Sequence, residues 1–435
     1  MTLNVCLEGR LAGVLKGDGS QVTFTYSKDW LQVPGAYPLS HSLPLQSQGL
    51  AGRALFNFLW GLLPDSARTL ETWGKWFEVS PRNPLALLRH VGEDCAGAVQ
   101  CVTEARLDTI LDPAAPASVD WLDDRSLEIR IRNLLNDGAA GRAVGEAQCA
   151  LAGAQTKTAL YFDSQRKRWG IPAGRTPTTH ILKPVANDFD GFAENEHFCL
   201  MLTRRLGLAA ACTEWQVIGG IPTLIIERYD RVQVNGRWHR IHQEDCCQAL
   251  GIHPDSKYEN DGGPGFAPIM SLLNSTDEPQ LDRERLMKAA CLTYLLAATD
   301  VHGKNFSLLY GRGAARASMR LAPFYDIASI WPYTAKLPVQ KTKLAMRIGG
   351  HYRLREIAPR HFHKLALACN YPPDALMATL AELSERLPDE AGAVAADLRR
   401  QGMSDVVLTK LVDGVAGQCQ AVRRALTLTK EALPG

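Results

Sequence analysis

The chain has 435 residues, of which 46% are hydrophobic and 22% are charged, and its formal net charge at pH 7 is +2. This composition is typical of a globular protein with two or three domains, and a charge so close to zero gives no indication of nucleic-acid binding. Eleven cysteines without a C-x-x-C pair predict reduced thiols in a cytoplasmic protein, and neither a signal peptide nor an apolar run of the ~20 residues that cross a bilayer is evident, so we expect no membrane contact.

The first hundred residues predict a small α/β module. Residues 22–26 alternate at strand period after the turn signal GDGS. Residues 54–63 are densely apolar and end at Pro64, which is typical of a buried helix. Residues 107–121 contain the sequence PAAP and predict a linker, so we place a domain boundary near residue 110.

A segment of small residues, AGAQTKT at 152–158, follows in the next region. Small side chains let backbone N–H groups approach a phosphate closely. The segment is not a Walker A loop, because that motif requires a glycine directly before the lysine, and Thr156 stands there.

One lysine, Lys183, ends a strand-like alternation and offers a cation for nucleotide phosphates, whereas a solvated charge at a strand edge is the ordinary alternative. Glu194 and Glu196 open the next helical pattern. Either carboxylate can pair with Lys183, or both can simply favour the positive end of that helix, and the sequence leaves the two interpretations open. Residues 225–229 then predict a strand that ends in a polar turn.

The clearest chemical pattern is the segment DVHGKN at 300–305. The apolar run 291–298 predicts a buried helix that leads to Asp300, with Asn305 five residues further on and Asp326 later in the chain. An aspartate that accepts a substrate proton, and an asparagine and an aspartate that hold Mg²⁺, are the parts that phosphoryl transfer needs. The alternative is a helix that simply stops there and a turn that follows it.

A basic segment lies between residues 334 and 364, with eight Lys or Arg residues and one acid, Glu356. It either docks phosphates or an acidic partner, or is a solvated face. After this segment the pattern is almost wholly helical and predicts helices at 375–387, 391–401 and 404–433. An irregular α+β region followed by helices is the plan of a protein kinase.

Seven stretches, in the same order, resemble the HipA family of bacterial toxin serine/threonine kinases. They are LAGAQTKTAL (151–160), TPTTHILK (176–183), ERYDR (227–231), HQED (242–245), YENDGGPG (258–265), ATDVHGKNFS (298–307) and APFYD (322–326). The resemblance implies an α+β, two-lobed protein-kinase-like fold with a small N-terminal α/β module and an all-helical C-terminal lobe. The implied domains are an N-terminal module at 1–110, an amino lobe with ATP-binding elements at 111–260, and a carboxyl lobe with the catalytic loop at 261–435.

Carried over position by position, the resemblance implies that Asp300 is the catalytic base and that Asn305 and Asp326 bind Mg²⁺. It assigns ATP to a larger set of residues, namely a phosphate loop at Ala152, Gly153, Ala154, Gln155, Thr156 and Lys157, a phosphate-binding Lys183, adenine contacts at Glu227 and Tyr229, and the nucleotide-loop residue His302.

The implied function is that of an ATP- and Mg²⁺-dependent kinase acting as the toxin of a toxin–antitoxin pair. The expected substrate is a serine of an aminoacyl-tRNA synthetase, whose phosphorylation halts translation. The expected partner is a helix-turn-helix antitoxin of the HipB type on operator DNA, and Arg353, Arg355 and Arg360 are candidates for contact with DNA or partner. A nucleotide-binding corepressor with little kinase activity and a small-molecule kinase stay open as alternatives.

The sequence departs from the family at one regulatory position. The family's motif carries a serine just before the small-residue loop, and its phosphorylation adds close to two negative charges to the segment that cradles ATP. Here that position is Ala150, which has no hydroxyl, so either the natural protein lacks this switch or a substitution has removed it. We therefore expect no phosphate at position 150.

Overall fold

The computed structural model describes residues 1–136, 153, 155–185, 191–313 and 317–431, with side chains up to residue 428. The chain divides into two compact units, each made of several stretches. The first unit comprises Met1–Ala186, Gln216–Asp255 and Ser307–Met319. The second comprises Asn187–Trp215, Ser256–Phe306 and Arg320–Gly435.

The first unit begins with an antiparallel five-stranded sheet. Its strands are β1 (Thr2–Leu7), β2 (Arg10–Asp18), β3 (Gln21–Tyr26), β4 (Leu50–Ala51) and β5 (Gln100–Val102), in the order β4-β3-β2-β1-β5. The accompanying helices are α1 (Lys28–Leu31), α2 (Arg53–Gly61), α3 (Ala67–Trp76), α4 (Pro84–Val91) and α5 (Glu104–Leu111). Exposed and buried residues alternate along β3, which confirms the strand predicted at 22–26. The buried helix predicted at 54–63 is α2.

Side-chain caps explain where several of these helices begin. The Ser66 hydroxyl accepts the Thr69 N–H at 3.2 Å, and Asn83 Oδ1 accepts the Ala86 N–H at 3.2 Å. Each bond satisfies a donor that the first helical turn leaves without an intrahelical partner. Pro84 follows Asn83 at the first helical position, where its fixed φ suits the helix.

The next elements along the chain are β6 (Ser118–Trp121), α6 (Asp124–Asn136), β7 (Thr158–Asp163), β8 (Arg168–Ala173), β9 (His180–Pro184), α7 (Phe192–Arg205), β10 (Thr213–Ile218) and β11 (Ile221–Glu227). Their strands form a six-stranded sheet in the order β10-β11-β9-β7-β8-β6. Leu127 and Ile131 of α6 pack against Leu160, Leu182 and Ile225 of this sheet. The apolar stripe of one helix thus covers the strands that carry the predicted phosphate-binding residues.

Two smaller sheets follow. The first is a hairpin of β12 (Arg231–Val234) and β13 (Arg237–Arg240). The second has three strands in the order β14 (His242–Asp245), β15 (Ser307–Arg312) and β16 (Ala317–Leu321). A short helix, α8 (Cys246–Ala249), begins directly after β14.

The second unit is mainly helical. Besides α7 it contains α9 (Phe266–Leu272), α10 (Pro279–Leu295), the hairpin β17 (Lys343–Ile348) and β18 (His351–Arg353), then α11 (Pro359–Ala368), α12 (Pro373–Arg400) and α13 (Asp405–Glu431). Short 3₁₀ helices lie at Pro254–Ser256, Glu259–Asp261, Leu273–Ser275, Gly303–Asn305, Trp331–Tyr333 and Leu354–Glu356. The long helices α12 and α13 pack together through buried stripes that include Leu383, Leu387, Leu408 and Val415.

Two local predictions were wrong. The stretch 107–121 is not a linker throughout, because its start belongs to α5 and its end is β6, which pairs with β8. The predicted break between helices 375–387 and 391–401 does not occur, and α12 runs through Pro388. A proline inside a helix costs about 3 kcal/mol. Burial of Leu387 and Ala391 on either side of it offsets that cost.

In the part of the chain that the structure describes, no helix combines the length and apolar character needed to cross a bilayer. The ten cysteines in that part are free thiols, and only Cys212 is exposed.

Candidate active site

The candidate catalytic loop follows α10. The chain leaves the helix through Ala297, whose left-handed φ of 51° reverses its direction. Backbone hydrogen bonds then fix the path: the Ile330 N–H donates to the Ala297 carbonyl at 3.2 Å, and the Ala345 N–H donates to the Thr299 carbonyl at 3.0 Å. The predicted helix before the loop is confirmed, and the loop at its end is held by the segments around it.

Within the loop, Asp300 is exposed, and its Oδ1 accepts a hydrogen bond from the Tyr258 hydroxyl at 2.7 Å. The Tyr258 ring also stands edge-on to the His302 ring, with 5.1 Å between the centroids. The Gly303 N–H donates to the Lys257 carbonyl at 3.3 Å. The carboxylate of Asp300 therefore faces solvent while a neighbouring loop holds one of its oxygens.

The side chain of Asn305 is oriented from inside the loop. Its Oδ1 accepts the His302 backbone N–H at 2.9 Å. Since an amide oxygen has two lone pairs, this bond fixes the side chain and leaves Oδ1 able to bind a cation. Among the described residues, the buried Nδ1 of His302 has no hydrogen-bond partner. Burial lowers the pKa of His302 to about 4, although the carboxylates of Asp300 and Asp326 act to raise it, so the imidazole is neutral at pH 7.

A left-handed φ of 60° sets the direction of Asp326, a conformation that aspartate tolerates better than most residues. The segment before it is anchored, because the Phe324 N–H donates to the Ala209 carbonyl at 2.9 Å. The Tyr325 hydroxyl donates to the Lys304 carbonyl at 2.5 Å and ties the segment to the catalytic loop. These contacts place the half-exposed Asp326 carboxylate beside that loop.

Asn305 and Asp326 fit a magnesium ion. Mg²⁺ prefers oxygen ligands and usually takes one or two from the protein, with phosphates and water supplying the others. The bond from Tyr325 to Lys304 joins the segment of Asp326 to the loop that contains Asp300, and His302 donates to Asn305 within that loop, so these residues lie together in the second unit. The structure therefore groups the three residues that the sequence pattern indicated for phosphoryl transfer with His302, which the resemblance assigned to the nucleotide loop.

The predicted phosphate-binding residues that the structure describes lie in the first unit. Lys183 is 6% exposed and lies on β9 opposite Leu224. Gly153 has a φ of 109°, which favours glycine, and a methyl group there would lie 2.5 Å from Lys157 Nζ. The Lys157 ammonium thus folds over Gly153, whose carbonyl accepts the Asp65 N–H at 3.2 Å.

The adenine candidates lie at the end of β11. Glu227 is exposed and pairs with His180 in the sheet register, and Tyr229 follows two residues later, half-buried. Gln155 and Thr156 are also half-buried. Three other positions, Ala150, Ala152 and Ala154, lie outside the described residues.

The two glutamates of α7 are almost fully buried, with Glu194 5% and Glu196 1% exposed. Between them, the Asn195 amide both donates to the Ser329 carbonyl at 2.7 Å and accepts the Ser329 N–H at 2.9 Å. Pairing of either glutamate with Lys183 stays a prediction.

A buried ion network around the ERYDR motif was missed by the sequence reasoning. Arg231 and Arg240 each donate to Asp94 Oδ1 at 3.0 Å. Arg228 donates to both carboxylate oxygens of Asp230, at 3.0 and 2.8 Å. Although burial raises the pKa of each aspartate, the guanidinium groups outweigh it and hold both pKa values below the usual range. The alternation of charged residues at 227–231 is the only local signal for this network, and it does not identify Asp94.

Two domain families match the chain: the HipA N-terminal domain at residues 3–102 and the HipA-like C-terminal domain at residues 149–391. Y4mE of Sinorhizobium fredii, which is named as a kinase, is 33% identical to this chain over 427 residues. The match covers 98% of this chain and 99% of Y4mE. The serine/threonine-protein kinase toxin HipA of Shewanella oneidensis is 27% identical over 413 residues, covering 91% of this chain and 89% of the toxin.

The fold agrees with these matches. A chain from the complex of Shewanella oneidensis HipA, HipB and operator DNA superposes with a TM-score of 0.82 at 23% identity, covering 99% of this chain and 100% of that one. This likeness confirms the predicted α+β, protein-kinase-like fold class. The HipA-like C-terminal domain covers more than half of this chain, and Y4mE matches nearly the whole of it. The chain therefore belongs to the HipA family of toxin kinases.

Proposed function

We propose that the chain is an ATP- and Mg²⁺-dependent serine/threonine protein kinase. The observation that carries this proposal is the grouping of Asp300, His302 and Asn305 in one loop, with the segment of Asp326 bonded to it. Bound Mg²⁺ supplies positive charge to the nucleotide phosphates. Asp300 accepts the proton of the substrate hydroxyl while the hydroxyl oxygen bonds to the γ-phosphorus of ATP. The bond between that phosphorus and the oxygen of the departing ADP breaks.

The remaining residues hold the nucleotide. Asn305 and Asp326 would bind the metal, and the neutral His302 would contact the nucleotide without adding charge. Lys183 and Lys157 supply cations for the phosphates, and the left-handed Gly153 lets the loop backbone come close to them. Glu227 and Tyr229, at the end of β11, would present backbone groups to adenine, and Ala152, Ala154, Gln155 and Thr156 would complete the phosphate loop.

We further propose that the chain is the toxin of a toxin–antitoxin pair. The relative from Shewanella oneidensis is named a kinase toxin, and the matching structure holds HipA with HipB and operator DNA. By that likeness, an antitoxin of the HipB type would join this chain on its operator. The substrate we propose is a serine of an aminoacyl-tRNA synthetase, whose phosphorylation would halt translation.

Labelled ATP and mass spectrometry test this function. Purified chain should transfer the γ-phosphate of labelled Mg²⁺-ATP to protein hydroxyls. Phosphoproteomes of cells producing the wild type or an Asp300→Asn variant should differ at serines of one or a few proteins, a synthetase among them. Identical phosphoproteomes would rule out the kinase, and a difference confined to other proteins would rule out the synthetase.

The basic segment leads to a prediction on DNA binding. Arg353, Arg355 and Arg360 are all exposed, and Arg353 forms a surface pair with Glu356 at 3.2 Å. If they face DNA in the antitoxin complex, changing all three to Ala should lower operator affinity and reduce the salt slope by about 0.9 for each phosphate that is no longer neutralised. Binding at several salt concentrations measures this.

The matched control is Arg386→Ala, since Arg386 is an exposed arginine of α12 outside the basic segment. It should leave both affinity and salt slope unchanged. Kinase activity should survive in the triple variant. An unaltered slope there would mean that the three arginines are a solvated face.

Position 150 leads to a prediction on regulation. The wild-type chain, incubated with Mg²⁺-ATP, should gain no phosphate at Ala150 and keep its ability to bind ATP, because alanine has no hydroxyl. An Ala150→Ser variant should gain phosphate and lose ATP binding, since two added charges would repel the nucleotide. Mass spectrometry of residues 143–166 measures both. Stoichiometric phosphate on Thr156 or Thr158 of the wild type, with loss of ATP binding, would show self-inactivation by another residue.

A further inference from the structure

We propose that Tyr258 is a positioning residue for Asp300, and that the loop YENDGGPG at 258–265 is shaped to hold it in place. The proposal rests on the proposed kinase function. The Tyr258 hydroxyl donates to Asp300 Oδ1 at 2.7 Å, across 42 residues of sequence. Hydrogen bonds to ionised groups are about twice as strong as neutral ones, so this bond restrains an otherwise exposed carboxylate. With Oδ1 engaged, Oδ2 is presented to the substrate hydroxyl.

The glycines of the loop allow its tight path. A methyl group at Gly263 would lie 2.3 Å from the Ser256 carbonyl oxygen, and one at Gly265 would lie 2.3 Å from Glu259 Oε1. Gly262 has a left-handed φ of 92°. At Gly263 the close neighbour is backbone, so only glycine fits there without moving the backbone, whereas a methyl group at Gly265 would displace the Glu259 carboxylate. The motif therefore brings the loop into a turn that directs Tyr258 toward Asp300.

A second set of contacts fixes this loop to β17. Glu259 Oε2 accepts the Arg347 backbone N–H at 2.7 Å, and Glu259 Oε1 pairs with Arg347 Nε at 2.8 Å. Two residues before Arg347, the Ala345 N–H donates to the carbonyl of Thr299, the neighbour of Asp300. The strand thus holds both the loop that carries the phenol and the backbone that carries the base. Such support is what keeps a proton acceptor in productive geometry.

The test separates the hydroxyl of Tyr258 from its ring. Tyr258→Phe keeps the ring against His302 and removes the hydroxyl that donates to Asp300. We expect kcat to fall by up to about 10²-fold, the loss that a misplacement of about 1 Å can cause, while KM for ATP stays near the wild-type value. The unfolding free energy should fall only slightly, because the bond is exposed. Tyr371→Phe, which removes a hydroxyl far along the chain from the loop, should leave all three unchanged.

A double variant tests whether the loss of activity in Tyr258→Phe depends on Asp300. In an Asp300→Asn background, Tyr258→Phe should slow transfer no further, because the carboxylate it positions is gone. An unchanged kcat in Tyr258→Phe would overturn the proposal. A higher kcat would overturn it too, since it would show that the phenol blocks the substrate hydroxyl.

Urea unfolding tests the Tyr258–Asp300 contact independently of the proposed kinase function. If the wild type transfers no phosphate to any protein, the kinase assignment fails. The Tyr258–Asp300 contact is then measured from the unfolding free energies of Tyr258→Phe, Asp300→Ala and the double variant, since Asp300→Asn keeps an acceptor for the Tyr258 hydroxyl. Non-additive effects support the positioning contact, and additive effects overturn it.

Discussion

The Asp300→Asn variant should transfer phosphate roughly 10²- to 10⁴-fold more slowly than the wild type, the range expected for loss of a general base. Asparagine has nearly the same shape as aspartate and keeps an acceptor for the Tyr258 hydroxyl, so the loop should fold normally. It cannot take the proton of the substrate hydroxyl. Mg²⁺-ATP binding should persist, because the proposed metal ligands, Asn305 and Asp326, are untouched.

Asp326→Ala should behave differently and weaken Mg²⁺-ATP binding itself, since it removes a charged oxygen ligand. Calorimetric titration with Mg²⁺-ATP, together with labelled-phosphate transfer, distinguishes the two variants. Asp374→Asn, an exposed acid in the first turn of α12, is the matched control and should alter neither measurement. Full transfer activity in purified Asp300→Asn protein would remove Asp300 from the role of base.

Local patterns were sufficient to predict the elements that carry the candidate catalytic residues. The apolar run before Asp300 is the end of α10, and the alternation before Lys183 is β9. Residues 291–298 are buried throughout and β9 is buried over its last three residues, so each pattern reflects burial, which a short stretch of sequence indicates by itself. The spacing from Asp300 to Asn305 also survives folding unchanged, because one short loop contains both residues. For these reasons the loop was predictable before its surroundings were known.

The residues that support the loop were not predictable in the same way. Tyr258 lies 42 residues before Asp300, and its hydroxyl gives no sign of its partner. Asp94 and Arg231 are separated by 137 residues. Such pairs depend on which elements the fold brings together, and no local period records that choice. Pro388 shows the reverse case, in which a strong local signal for a break is overridden by burial along α12.

The Asp94→Asn variant should lose about 3–5 kcal/mol of unfolding free energy, because it breaks a buried charge network. Asp94 lies among three guanidinium groups, those of Arg228, Arg231 and Arg240, whose side chains are 2%, 0% and 6% exposed. With asparagine in its place, these buried guanidinium groups would keep their charges while one carboxylate that balances them is removed. Urea unfolding of wild type and variant at pH 7 measures the loss. A domain's whole stability is typically about 5–15 kcal/mol, so the effect is large.

The control for this prediction is Glu128→Gln in α6. Glu128 pairs with Arg132 at 2.8 Å, but both side chains are substantially exposed, at 39% and 54%. Loss of such an exposed i,i+4 pair costs about 0.3–0.5 kcal/mol. Comparable losses in the two variants would contradict the view that burial makes the Asp94 network important.

The pH dependence of the Asp94 effect follows from the sign of its pKa shift. Burial raises the pKa of Asp94, but the three arginines and the Thr178 hydroxyl together lower it by more than burial raises it. The pKa of Asp94 in the folded protein therefore lies well below its value in the unfolded chain. A lowered carboxyl pKa adds stability that is complete above the unfolded value of about 3.9 and is lost as pH falls toward the folded value. The gap between wild type and Asp94→Asn should therefore be constant from about pH 5 to 7 and shrink below about pH 4.

The same network lies beside the proposed adenine contacts, so we expect it to affect nucleotide binding as well as stability. Arg228, Asp230 and Arg231 directly follow β11 and alternate with Glu227 and Tyr229, the adenine candidates. The Gly97 N–H donates to Asp230 Oδ2 at 2.7 Å, and the Arg231 guanidinium donates to the Gly97 carbonyl at 2.8 Å, so Gly97 of the N-terminal module holds two side chains of this segment. Asp94→Asn should thus weaken ATP binding at temperatures where the protein is still folded. Unaltered ATP affinity in the folded variant would confine the network to stability.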